Sequence, residues 1–273
     1  MIRSPAVAGR FYPAERAQLE QEVDFFTISA GAVPKQRAIA CIAPHAGYMY
    51  SGHLAGAVYA RLELPKRILL LGPRHHPRGA RMAILSEGSW QTPLGEARLD
   101  AEFAAELKRL FPSLMEDGVA HEREHSLEVQ LPFLQRMIGA EESAFRFTPI
   151  VLGPLQYDEL AALGGALASA IQASREAVLL VVSSDMNHYE SDEITRGKDR
   201  KAIEKILALD ARGLYDTVRR EEISMCGVGP AVAMLTAVRL LGATKAELVR
   251  YATSGDVSDD RSAVVGYAGM IIR

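Results

Sequence analysis

With 273 residues and 48% apolar side chains the chain can bury one large core, and its 34 acidic and 31 basic residues leave a formal charge of −3, which gives no electrostatic footprint for a nucleic-acid backbone. No apolar run approaches the roughly 18 to 20 residues of a membrane helix, and "MIRSPAVAGRFYPAER" lacks the apolar core of a signal peptide, so a cytoplasmic protein with neither nucleic acid nor membrane as partner is expected. Cys41 and Cys226 are the only cysteines. Far apart in a reducing compartment, they read as core filler or reactive ligand rather than as a disulfide.

In chain order the patterns predict a helix over Ala14–Ser29, a strand over Ala38–Ala43, a helix over Gly52–Leu62 and strands over Arg67–Leu71 and Met82–Leu85. Helices over Ala101–Phe111 and Leu127–Met137 follow, then a strand over Phe145–Leu152, a helix over Tyr157–Ala173 and a strand over Ala177–Ser183. The chain finishes with helices over Lys198–Leu207 and Val228–Leu241 and strands over Glu247–Thr253 and Ser262–Ile272. Short apolar runs alternating with helices predict an α/β fold, and continuous Val, Ile and Leu mark strands buried on both faces. The expectation is a single domain over residues 1–273, a central, mostly parallel mixed sheet covered by helices on both faces; no linker or long-period repeat divides it. The Ala- and Gly-rich "LAALGGALASA" suits a helix lying close against that sheet, and "TRGKDRKAIEK" reads as a solvated helix face with no partner.

In open α/β sheets the working residues gather beyond the carboxyl ends of the strands. His45 follows the strand before "APHAG", His75 and His76 follow "RILLLGPR", and Asp185 and His188 follow "AVLLVVSS". Pro44 and Pro73 mark where the chain leaves the sheet. Singly, each histidine suits a satisfied strand-end residue; together they resemble a metal site with coordination positions left open. Cys226, before the Gly-rich turn of "MCGVGP" and an apolar helix, is placed where backbone N–H groups favour thiolate; it is either a third ligand or a small buried hydrophobe.

In "HEREHSLEVQLPFLQ", Ser126 with Glu128 and the preceding acidic residues suits a helix start, and His125 is an acid/base candidate at that end or a water-facing histidine. Tyr48 and Tyr50 are candidates for a pocket wall, while His53 and His121 read as structural. There is no G-x-S-x-G elbow, Walker loop, H-E-x-x-H or G-x-G-x-x-G. Cysteine, histidine and aspartate are also the inventory of a cysteine hydrolase built on Cys226 and Asp185.

"APHAGYMYSG", "LGPRHH", "EHSLEVQLPFL", "VVSSDMNHY" and "CGVGP" occur in the order and spacing of the Memo family, whose bacterial and archaeal members are named AmmeMemoRadiSam system protein B. The resemblance covers essentially the whole chain and implies the LigB-like fold of class III extradiol dioxygenases, which are non-haem iron enzymes. It implies metal ligands at His45, His75 and Cys226, with Asp185, His188 and His125 lining the pocket. His125 or His188 would serve as acid/base and Asp185 would orient or charge an imidazole. The dioxygenases use two histidines and a carboxylate; a cysteine third ligand shifts metal preference, and the expected order is iron(II), then copper, then zinc. A metal-dependent, redox-active protein is the first expectation. The alternatives are a non-catalytic module that holds a small molecule or peptide in the crevice, within a modification pathway shared with radical SAM and AMMECR1-type proteins, and the cysteine hydrolase.

Overall fold

Every residue of β2 (Ala40–Ala43), β3 (Arg67–Pro73) and β9 (Val178–Ser183) is buried, as continuous apolar runs require when both faces of a sheet are covered. The computed structural model describes residues 2–28, 34–139 and 145–273. The first half carries β1 (Ile2–Arg3), α1 (Arg16–Ile28), β2, α2 (Tyr48–Tyr59), β3, β4 (Met82–Ile84), β5 (Ser89–Thr92), β6 (Gly95–Leu99), α3 (Ala101–Leu110), β7 (Met115–Glu116) and α4 (Gly118–Glu122). A 3-10 turn (Glu128–Gln130) leads into α5 (Leu131–Ile138), followed by β8 (Arg146–Leu152), α6 (Tyr157–Ala173), β9 and β10 (His188–Glu190). The rest comprises α7 (Asp192–Leu207), α8 (Ala211–Arg220), α9 (Val228–Leu240), β11 (Ala246–Thr253), α10 (Gly255–Ser258) and β12 (Val264–Ile272).

One mixed sheet results, in the order β1-β5-β6-β8-β3-β9-β2-β12-β10, with β11 on β12 and β4 on β8. Its centre is parallel: β6, β8, β3, β9 and β2 run the same way, and β12 closes antiparallel against β2. Alternate residues feed two cores. Ile42, Leu69, Leu71, Leu180 and Val182 pack with α3 and α6 to α9, while Cys41, Ile68, Leu70, Leu179 and Val181 pack with α1, α2 and α5. Cys41 is thus core filler. Because the parallel strands share one direction, the ends of β2, β3 and β9 open on the same edge, with β3 and β2 flanking β9.

The expected strands and helices are present, with shifted bounds. Helix α2 starts four residues before Gly52, because Gly47 turns the chain straight from His45 into the first helical turn. Its two glycines are a packing requirement: a Cβ at Gly52 would lie 2.5 Å from the Phe26 ring, and one at Gly56 would lie 2.6 Å from the Phe26 carbonyl oxygen. Tyr48 therefore faces the core, its hydroxyl donating to the Val129 carbonyl, and is no pocket wall; Tyr50 packs with Leu54, Ala252 and Tyr267. The small residues of α6 serve a helix contact rather than the sheet, since a Cβ at Gly164 would meet the Ala233 carbonyl oxygen of α9 at 2.6 Å. Ser29, the last residue of the first expected helix, lies outside the described residues. Helix α7 is only partly solvated, with Thr195, Asp199, Ala202 and Ile203 buried.

Candidate metal centre

His45 leaves β2 through Pro44, and its orientation is fixed at two points. Its backbone N–H donates to Asp185 Oδ1 at 2.8 Å, and its Nδ1 lies 3.0 Å from Ser183 Oγ. Ser183 donates its only proton to the Ser126 carbonyl at 2.6 Å and accepts from Gln130 Nε2 at 2.8 Å. The hydroxyl can therefore only accept from His45, so Nδ1 carries the proton and Nε2 presents its lone pair to the crevice.

His75 has the same polarity. Its Nδ1 donates to Glu124 Oε1 at 2.8 Å and its backbone N–H to Glu124 Oε2 at 2.6 Å. Glu124 is wholly buried and also accepts from the Ser126 N–H at 2.9 Å. Burial raises its pKa, but the hydrogen bond and charge of His75 and the backbone donors outweigh that and hold the carboxyl far below its usual range. On His75, burial lowers the pKa and the Glu124 hydrogen bond and charge more than offset it, so the pKa is raised.

His125 stacks on His75 with ring centroids 4.6 Å apart, stands edge-on to His45 at 5.5 Å, and is backed by Phe11 at 4.9 Å. Its ring makes no hydrogen bond among the described residues, and its Nδ1 is 3.7 Å from Glu124 Oε1. One ring nitrogen from each of His45, His75 and His125 falls within 4.8 Å of the others, a separation at which one ion can be held. Cys226 Sγ is 3.3 Å from His45 Nε2 and accepts from the Asp185 N–H at 3.3 Å. At the next strand, His188 donates from Nδ1 to the Ser224 carbonyl at 2.9 Å, and its Nε2 has no hydrogen bond among the described residues. His76, by contrast, is engaged through Nε2 with the Arg123 carbonyl.

Three expectations need correcting or sharpening. Cys226 does precede α9, but burial and the neighbouring Asp185 carboxylate push its thiol up, and the backbone donors are too few to make it a thiolate in the metal-free chain. Asp185 grips His45 through the backbone N–H, its Oδ2 staying 3.9 Å from Nε2, so it acts on the neighbouring imidazoles of His75 and His125 through its charge, which pulls their pKa values upward, and not by orienting a ring. Ser126 and Glu128 do stand where the helical segment starts, at the 3-10 turn, but neither side chain caps it: Ser126 Oγ donates to the Pro73 carbonyl, and Glu128 turns to the N-terminal segment. There it accepts from Arg3, the backbone N–H groups of Ala6 and Val7, and the Tyr12 hydroxyl. Arg3 in turn donates to the carbonyls of His121 and Glu124, so residues 3–12 brace the segment that carries Glu124 and His125. His121 is buried and structural, with Nδ1 donating to the Asp117 carbonyl.

A family model described as Memo-like protein matches residues 3–271, a span that includes every residue of this crevice. The chain belongs to the Memo family. MEMO1 family proteins of Methanopyrus kandleri and Aquifex aeolicus are each 40% identical to it, the first over 100% of this chain and 99% of the relative, the second over 99% and 98%. A crystal structure of an uncharacterized Escherichia coli K12 protein shares the fold, with a TM-score of 0.55 at 12% identity over 86% of this chain and 100% of that one. No helix among the described residues is long and apolar enough to cross a membrane.

Sequence reasoning passed over the residues that orient this Memo-family site: Glu124, Ser183, Gln130 and Ser224. The acidic run before His125 was the one local sign of Glu124. Burial also gives the site a pH signature. It holds His45 at about 3, helped by the His75 charge, and His125 at about 4, helped by His45. An unfolded imidazole titrates near about 6.5, so between that pH and about 4 the unfolded chain takes up protons that the folded chain refuses. Stability from these two groups is complete above about 6.5 and declines as pH falls through the window. His75, with its raised pKa, works oppositely, adding stability at low pH that fades as pH rises through its folded pKa. Asp199, pushed up to about 7 by burial, also adds stability as pH falls, so the site is read by comparison: the urea midpoint of metal-free protein is expected to fall more between pH 7 and 4.5 in the wild type than in His125→Gln. An equal fall in both proteins would show that His125 contributes nothing to it.

Proposed function

We propose that the protein holds one transition-metal ion between His45 Nε2, His75 Nε2 and Cys226 Sγ and uses it in redox chemistry. The observation that carries this reading is the shared tautomer: buried acceptors claim Nδ1 of both histidines, which leaves both Nε2 lone pairs for an ion, as outer partners do in metal sites. The thiol fits the same ion. With metal–nitrogen bonds of about 2.0 Å and a metal–sulfur bond of about 2.3 Å, two tetrahedral ligands stand roughly 3.5 Å apart, and Sγ and His45 Nε2 are 3.3 Å apart.

Bound there, an iron(II) or copper ion would supply a redox-active Lewis acid with open positions; zinc, third in preference, would supply the Lewis acid alone. The chain's own residues do the rest. Glu124 fixes the His75 ring and raises its basicity, and Ser183 and Gln130 fix that of His45. His125, neutral at pH 7 and free of hydrogen bonds to the described residues, is placed to accept a proton from a ligand in the crevice, and His188 Nε2 is a second acceptor. The kinship to extradiol dioxygenases and the association with radical SAM and AMMECR1-type proteins rest on the family resemblance and belong to this proposal.

The cysteine-hydrolase alternative loses ground on the same pair of atoms. With the thiol pushed up and His45 held at about 3, transfer of a proton from Sγ to Nε2 is uphill on both sides.

Glu124→Gln tests the ligand set. Losing the carboxylate behind His75 is expected to weaken metal binding by about 10- to 100-fold in a competition titration, while near-UV circular dichroism still reports a packed fold. Unchanged affinity would take His75 out of the ligand set. Dioxygen uptake by metal-loaded protein with catechol-like compounds separates an enzyme from a module that only binds.

A further inference from the structure

A cavity of about 1140 Å³ lies between residues 2–11 and residues 118–125 and is lined in part by His125, the ring stacked on His75. Its size is on the scale of small-molecule sites, which run to about 1,000 Å³. Its walls are of two kinds. Ile2, Phe11, Leu85 and Val119 give an apolar surface, and two of these large aliphatics stand in water, Ile2 at 57% and Val119 at 47% exposure.

The remaining wall is cationic. Arg3 is already neutralised by Glu128, with which it forms a buried pair at 2.7 Å. Arg10 and Arg123 also line the cavity, and among the described residues neither guanidinium has a hydrogen bond or ion pair. Glu122 is the one carboxylate among the lining residues, so the unneutralised side chains favour an anion.

We infer that this groove binds a small carboxylate with an apolar body, the carboxylate held by Arg10 and Arg123 and the body lying on Ile2, Phe11 and Val119 towards His125. A guanidinium matches a carboxylate through two parallel N–H donors, and the apolar wall gains by being covered. The inference names a ligand class for the metal crevice proposed above and rests on that reading only in taking His125 as the inner end.

The test uses the full-length, metal-free protein and two probes, 4-phenylbutyrate and its uncharged counterpart 4-phenylbutan-1-ol, in isothermal titration calorimetry at low salt. The acid is expected to bind at least about tenfold more tightly than the alcohol, with the difference shrinking as salt screens it. Arg10→Gln and Arg123→Gln, both at exposed positions, are each expected to reduce the acid's advantage, and the double variant to abolish it while the alcohol binds as before. Equal affinities in the wild type, no binding of either probe, or an advantage that survives in the double variant would each overturn the inference. Metal binding measured on the same preparations keeps the two readings apart: acid preference without metal affinity sinks the metal centre alone, and the reverse sinks the groove alone.

Discussion

Purified anaerobically, the wild-type protein is expected to carry close to one equivalent of iron or copper, and Cys226→Ser less than about a tenth of that. Serine keeps the shape of the side chain and replaces a soft ligand with a hard hydroxyl that stays protonated, so the change isolates the donor atom. His45→Ala is expected to be as severe, because it removes the ring that Ser183 and Gln130 hold ready. Since burial keeps the free thiol protonated, metal uptake releases its proton, and occupancy should rise with pH. Elemental analysis of the three proteins decides the matter. Wild-type occupancy in both variants would end the ligand assignment, and absence of metal from all three after reconstitution would transfer the case to a ligand-binding module.

The second large effect is on stability. Glu128→Ala is expected to cost about 3–5 kcal/mol of unfolding free energy in urea. The carboxylate is wholly buried and is the common acceptor for Arg3, two backbone N–H groups and the Tyr12 hydroxyl. Its removal leaves the Arg3 guanidinium, stacked over Trp90, without a counter-charge. Glu128→Gln keeps an acceptor and should cost less, so the difference between the variants measures the charge. A loss under about 1 kcal/mol for the alanine would mean that water replaces the carboxylate and that residues 3–12 are not anchored by it.

What could be read from sequence at the site, and what could not, divides along a physical line. His45, His75, Asp185 and Cys226 follow apolar strands or precede an apolar helix, and strand direction alone brings them to one edge. Glu124 and Ser183 were illegible because their partners, His75 and His45, lie 49 and 138 residues away, and no local pattern records such a bond. The α/β fold followed from the runs of Val, Ile and Leu. The β5–β6 hairpin was missed because its strands are four and five residues long and bracket Pro93 and Leu94. Helix α8 was missed because it is only ten residues long and highly charged, although Ala211, Leu214, Tyr215 and Val218 recur at helical spacing.

The Arg3–Glu128 bond spans 125 positions of the chain, and that separation orders events during synthesis. Residues 3–12 leave the ribosome before the carboxylate that accepts from Arg3 and from the N–H groups of Ala6 and Val7, and they stay solvated until Glu128 follows. Closing so long a loop is entropically late. The segment that backs His125 therefore docks only after the chain carrying His125 has emerged, which leaves the crevice open to solvent through the early stages of its own assembly.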